Sequence, residues 1–136
     1  MEVYKTKIKS LAGTDYSEVY SKAKSIYKVV SSKTKRRPYI RSSYFNKEKV
    51  FIDYFWNYMM TKNPHDRLRR LKQYPCALDL IKYSKVKPLM KGDPNKSSEM
   101  LYRFTGINGN KEIFHVQVKE DKKTGEKVMM SMFPDN

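Results

Sequence analysis

Apolar positions recur every three or four residues through much of the first part of the chain and every second residue through the last third. The opening residues alternate, with Val3, Lys5, Lys7 and Lys9 set against Tyr4, Thr6 and Ile8, and predict a short strand. Val19, Tyr20, Ala23, Ile26, Tyr27 and Val30 then form one stripe, while Lys22, Lys24 and Lys28 fall off it. This predicts an amphipathic helix over 15–31, with Asp15 and Glu18 spaced as an N-terminal cap. From 46 to 61 the apolar residues cover nearly the whole circumference (Val50, Phe51, Ile52, Tyr54, Phe55, Trp56, Tyr58, Met59, Met60). They predict a central helix capped by Asn46, with Trp56 in the core.

Asn63-Pro64 stops that helix and suits the start of another, in which Leu68 and Leu71 give a narrow apolar edge. Pro75 opens a further helix through Ala77, Leu78, Ile81 and Tyr83. Residues 84–98 contain Pro88, Gly92, Pro94 and three serines and read as a long loop. The period then changes to two. Tyr102 and Phe104 lead into the turn sequence Ile107-Asn108-Gly109-Asn110. Phe114, Val116 and Val118 alternate with His115, Gln117 and Lys119, and Asp121 to Gly125 make a second turn. Val128, Met130 and Met132 alternate with Met129, Ser131 and Phe133 up to Pro134. The expected fold is α+β: N-terminal helices packed on one face of a C-terminal three- to four-stranded antiparallel sheet. The expected organisation is a single domain over 1–136, mainly helical in 15–83 and an antiparallel meander in 99–134.

The formal net charge is +15 in 136 residues, and it is unevenly placed. Residues 1–74 hold 18 Lys and Arg against 6 Asp and Glu, whereas residues 75–136 hold 11 against 8. That asymmetry favours polyanions, nucleic acid first, with RNA ahead of DNA, and an anionic membrane or an acidic protein partner as the alternatives. Residues 31–41 form a basic connector in which Pro38 holds Arg37 extended. The segment suits a solvated linker and a phosphate-gripping arm equally. The single cysteine, Cys76, excludes an internal disulfide and a cysteine-rich zinc site, and it reads as a buried small hydrophobe. The start of the chain is not a signal peptide and no run has the length of a membrane span, so the expectation is a cytoplasmic protein without a membrane role.

Phosphate-loop, dinucleotide-binding and zinc-protease patterns are missing, and two histidines with one cysteine make a protein-built metal site a poor reading; no cofactor is expected. Chemistry that needs no cofactor remains open. RNA supplies its own 2′-hydroxyl nucleophile, so a protein can cleave it by moving one proton and stabilising charge on the phosphate. The candidate catalytic residues are His65, His115, Lys119 and Ser131. The candidate phosphate contacts are Arg36, Arg37, Arg41, Arg67, Arg69, Arg70, Lys72 and Arg103. Repeated arginine around 67–70 favours fork-like contacts to phosphate or carboxylate, and the same residues can instead pair internally with Asp66, Asp79 or Glu120. On a strand, His115, Gln117 and Lys119 share one face, which the opposite apolar face leaves open. A non-enzymatic nucleic-acid-binding or protein-interaction module from a mobile element or defence system uses the same basic surface.

The stretches Arg37 to Phe45, Asp66 to Lys72, Tyr74 to Leu78 and Val116 to Asp121 resemble a family of small uncharacterised bacterial proteins, over most of residues 36–134. That resemblance carries no settled activity. In architecture, helices followed by an antiparallel meander are similar to the barnase/RelE-like group of small metal-independent ribonucleases and toxins. That likeness implies an endoribonuclease site on the open sheet face and adjoining helix, using Lys119, Ser131, His115 and the arginine cluster, and an acidic antitoxin as partner. The chain departs from that pattern in showing no clear catalytic Glu/His pair.

Overall fold

The computed structural model describes residues 2–93 and 96–135. Among them the order is β1 (Tyr4–Lys5), α1 (Tyr16–Ser31), β2 (Tyr39–Ser42), β3 (Glu48–Phe51), α2 (Tyr54–Met59), α3 (Pro64–Leu71) and α4 (Tyr74–Tyr83). There follow β4 (Leu89–Asp93), β5 (Lys96–Ile107), β6 (Ile113–Asp121) and β7 (Lys127–Pro134). The strands form one seven-stranded sheet in the order β1-β5-β6-β7-β3-β2, with β4 also on β5. β1 runs parallel to β5 and β3 parallel to β7, while the other pairs are antiparallel. The sheet is therefore mixed and curls into a half-barrel, which corrects the expected three- to four-stranded antiparallel sheet carrying helices on one face.

Three segments account for the difference. The stretch expected to form one helix over 46–61 splits. Asn46 and Lys47 take positive φ (56° and 68°) in a hairpin turn, and Val50 and Ile52, two apart, are both fully buried. Asn46 therefore turns a β-hairpin instead of capping a helix, and asparagine tolerates that backbone region well. Helix survives only at α2. Trp56 is in the core, as its sequence neighbourhood predicts, and Phe55 is fully buried beside it. The basic connector ends in a strand, β2, whose register sets Tyr39 against Phe51 and Arg41 against Lys49. The stretch expected as a loop over 84–98 contains β4, paired from Leu89↔Arg103 to Asp93↔Lys96; Pro94 and Asn95 lie outside the described residues.

Local chemistry explains the remaining elements. Asn63 caps α3, accepting from the Asp66 backbone N–H at 2.8 Å, and Pro64 occupies the first turn, where its missing N–H costs nothing. Asp15 stands at the N-cap of α1 but makes no side-chain cap bond. The Asn108 side chain accepts from the N–H groups of Asn110 and Glu112, so the β5–β6 turn is organised by one buried amide. Positive φ falls there on Lys111 rather than on Gly109. Gly109 is required for a different reason: a Cβ at that position would collide with the Lys7 carbonyl, where the N-terminal segment crosses the turn.

The core lies between the sheet and the helices. Phe114, Val116 and Val118 are fully buried along β6, and Leu80 of α4 closes with Phe114 over Gly106. Tyr20 and Tyr27 of α1 meet Trp56 edge-on, and the Lys24 ammonium sits 4.3 Å from the Trp56 ring centroid. Burial, with the nearby charge of Lys28, lowers the Lys24 pKa. Cys76 is fully buried, and burial pushes its thiol up to about 12. No helix among the described residues is long and apolar enough to cross a membrane.

Candidate nucleic-acid interface

The face of β5–β6–β7 opposite the core carries three cross-strand rows. Thr105 pairs with His115 and His115 with Phe133; Arg103 pairs with Gln117 and Gln117 with Ser131; Leu101 pairs with Lys119 and Lys119 with Val128. A bulge follows Gln117, opposite the segment between Met129 and Ser131, and lets Ser131 and Phe133 stay on this face while Met129 and Met132 enter the core. β4 extends the surface by placing Leu89 beside Arg103 and Lys91 beside Leu101. Leu89 is 70% exposed, and it helps line a shallow groove of about 230 Å³ with Lys91, Leu101, Arg103 and Gln117.

Phe133 is the centre of this surface. Two guanidinium carbons, from Arg70 of α3 and Arg103 of β5, lie 5.4 and 5.3 Å from its ring centroid, and the His115 ring lies 5.2 Å away with 35° between planes. Arg70 is held in place. Its Nε donates to Asp66 Oδ2 at 2.9 Å and one terminal nitrogen donates to the buried Ser131 Oγ at 2.6 Å. Burial alone would raise the Asp66 carboxyl. The Arg70 hydrogen bond, with the charges of Arg70, Arg69 and Lys62, more than offsets this and holds it below its usual value. Arg103 is exposed and, beyond Phe133, has no hydrogen bond or ion pair among the described residues. The two cations thus differ: one is a fixed part of the wall, and the other is available to a ligand.

His115 is engaged on both ring nitrogens. Nε2 lies 2.6 Å from Asp135 Oδ1, and since a carboxylate only accepts, Nε2 carries the donated proton. Nδ1 lies 3.0 Å from the Thr105 hydroxyl. With both nitrogens engaged, the ring presents a planar polar surface beside Phe133. Ser131 is equally occupied, accepting from Arg70 and only 1% exposed. Lys119 sits 3.7 Å from Glu99 and 5.4 Å from the Tyr54 ring centroid, at the end of the same face.

The other candidates do not converge here. His65 is exposed at the start of α3, without a hydrogen bond, ion pair or ring contact among the described residues. Arg67 turns back on the chain, donating to the Lys62 carbonyl at 2.7 Å and the Met60 carbonyl at 3.4 Å, and so seals the end of α2. Arg69 lies 3.6 Å from Asp66. Lys72 is the C-cap of α3, and its carbonyl accepts from the Leu11 N–H at 2.8 Å. Arg36 is exposed beyond α1, while Arg37 is tied to Asp53 and Glu126, both at 2.9 Å, and stacks on Phe51. Arg41 donates to the Lys47 carbonyl at 3.0 Å on β2, at the far edge of the sheet. Phe133, Thr105 and Asp135 belong to the candidate site although sequence reasoning assigned them no role. The alternation Ser131/Phe133 carries the signal for Phe133 once β7 is paired with β6. Comparison of the chain with protein-family models, with curated proteins and with solved structures finds no match.

Proposed function

We propose that the chain binds single-stranded nucleic acid, RNA in preference to DNA, on the outer face of β5–β7. The observation that carries this reading is the layer built on Phe133, with a free guanidinium (Arg103), a fixed one (Arg70) and the His115 ring all within 5.2 to 5.4 Å of the Phe133 centroid. Bases stack on aromatic and guanidinium planes, and cations alongside take the phosphates, so such a surface suits an unpaired strand better than a duplex. The overall charge of +15 supplies long-range attraction for the same ligand. Binding is favoured over cleavage because both nitrogens of His115 and the hydroxyl of Ser131 are already committed.

The test is fluorescence anisotropy with a labelled 12-nucleotide single-stranded RNA, its DNA counterpart and an RNA duplex, from 50 to 200 mM salt. Expected are tighter binding of the single strands, a log–log salt slope of about −2 for some three neutralised phosphates, and roughly tenfold or greater loss on Phe133→Ala or Arg103→Ala. Unchanged affinity in both variants would reject this surface. Cleavage of the RNA in chelator, abolished by His115→Ala, would replace the binding reading with a metal-independent ribonuclease.

A further inference from the structure

On one side of the sheet β5 is covered by β4 along most of its length and by β1 at Gly106 and Ile107, two short strands paired to β5 alone. The opposite edge is β2, which pairs only with β3. The Ile52 N–H donates to the Pro38 carbonyl, which sets the ladder: alternate residues from Pro38 through Ile40 face β3, and the N–H and C=O groups of Tyr39 and Arg41 turn outward. Those outward groups have no hydrogen-bond partner among the described residues. Proline at 38 blocks nothing on this side, because its position bonds inward.

This open edge faces a groove of about 580 Å³, bounded by β2 on one side and by α1 and α4 on the other. Its floor is apolar, formed by Ile8, Ile26, Val30, Ile40, Leu78 and Tyr83, with Ile8 40% and Tyr83 57% exposed. Three cations line it: Lys33, Arg41 and Lys82. The one acid in the groove, Asp79, already accepts a hydrogen bond from the Tyr4 hydroxyl at 2.5 Å. Unpaired strand groups beside an apolar trough are what an added strand uses: backbone bonds hold it, and alternate side chains drop into the trough. The cations select for acidic residues at the remaining positions. A second copy of this chain would bring the same cations against themselves, and a nucleic acid would leave the apolar floor unfilled.

We propose that β2 is the docking edge for an extended acidic segment of a partner protein, which adds as a strand along Tyr39–Arg41 and places alternate apolar side chains in the α1/α4 groove. This site is separate from the Phe133 surface, and each stands or falls alone. The probe is an acetylated, amidated octapeptide alternating glutamate and valine, with a lysine–valine octapeptide as control. Hydrogen exchange followed by NMR is expected to show the Tyr39 and Arg41 amides slowed at least tenfold at saturating acidic peptide. Arg41→Ala should weaken binding about threefold. Arg41→Pro, which removes an outward donor at a position where an edge strand tolerates proline, should weaken it more than tenfold. Should Arg41→Pro not fold, Val30→Glu at the groove wall provides the same test by repulsion. The proposal is overturned if the two amides gain no protection, if the lysine–valine peptide binds as well, or if both Arg41→Pro and Val30→Glu bind like the parent. It is overturned equally if the 12-nucleotide RNA, or self-association without peptide, protects these amides instead.

Discussion

The arginines of α3 and the arginine of β5 carry the same charge and do opposite work. Arg67 and Arg70 are spent on the protein itself, one sealing the end of α2 through two carbonyls, the other spanning Asp66 and Ser131. The Arg103 guanidinium faces the Phe133 ring and has no hydrogen bond or ion pair among the described residues. A dense basic motif is therefore a poor guide to where a polyanion lands. What matters is whether each guanidinium already has its acceptors. The cluster at 66–70 builds one wall of the candidate surface, and Arg103, 33 positions after Arg70, presents the free charge.

The largest expected effect follows from removing the wall. Arg70→Ala removes the donor to a buried Ser131 hydroxyl and the nearer of two arginine partners of Asp66, and should cost roughly 2–3 kcal/mol in urea unfolding, whereas Arg103→Ala should stay within about 0.5 kcal/mol. Equal costs would erase the distinction. Cys76 offers an independent readout: it is buried and its thiol is held neutral well above pH 8, so alkylation there proceeds through opening of α4. If labelling follows global opening, Arg70→Ala should speed it about tenfold or more, with Arg103→Ala matching the parent.

Acid should act on the same wall. The folded Asp66 carboxyl lies below its unfolded value, so its contribution is fully present above the unfolded pKa of about 3.9 and is lost as pH falls through the lower folded value. The urea midpoint of the parent should drop below about pH 4, and the drop should be shallower in Arg70→Ala; parallel curves would contradict the role given to this pair. The smallest effect is expected at Lys119. Its partial engagement by Glu99 should limit the loss of RNA affinity in Lys119→Ala to about threefold, against tenfold or more for Arg103→Ala.

The sequence made the meander and its polar row legible because both are local. Period-two alternation around Phe114–Val118, and turn residues at 108–110 and 121–125, specify β5–β7 without reference to the rest of the chain. The wider sheet was hidden because its extra members are short or paired at long range. β1 lies in the opening stretch whose alternation predicts a short strand, but it has only two residues and its partner is remote; β4 is a covering strand whose Leu89 and Met90 stay exposed, so it shows no buried face. The parallel pairings of Val50 with Lys127 and Tyr4 with Gly106 leave no local trace. Residues 48–60 misled for another reason. A strand ending in Val50-Phe51, with buried Ile52 just beyond it, runs into a short aromatic helix, and the two patterns sum to an apparently all-round apolar helix. In the candidate site, the alignment of His115, Gln117 and Lys119 was readable, but the fate of the arginines was not. The Arg70–Ser131 bond joins residues 61 positions apart, and only the folded sheet brings them together.

The crossing at Gly109 bears on how the chain is assembled in time. Residues 6–11 are held by Gly109 through Ile8, by Asn110 and Glu112 through Ser10, and by the end of α3 through Leu11. These residues precede the β5–β6 turn in the chain, and two of their three anchors lie about a hundred residues further along it. Ile8 and Ser10 can therefore be fastened only once the β5–β6 turn has been made, and they close over a hairpin that is already present. Their fastening reports that the hairpin is made: a nascent chain from which residues 107–112 have yet to emerge would leave this strap undone.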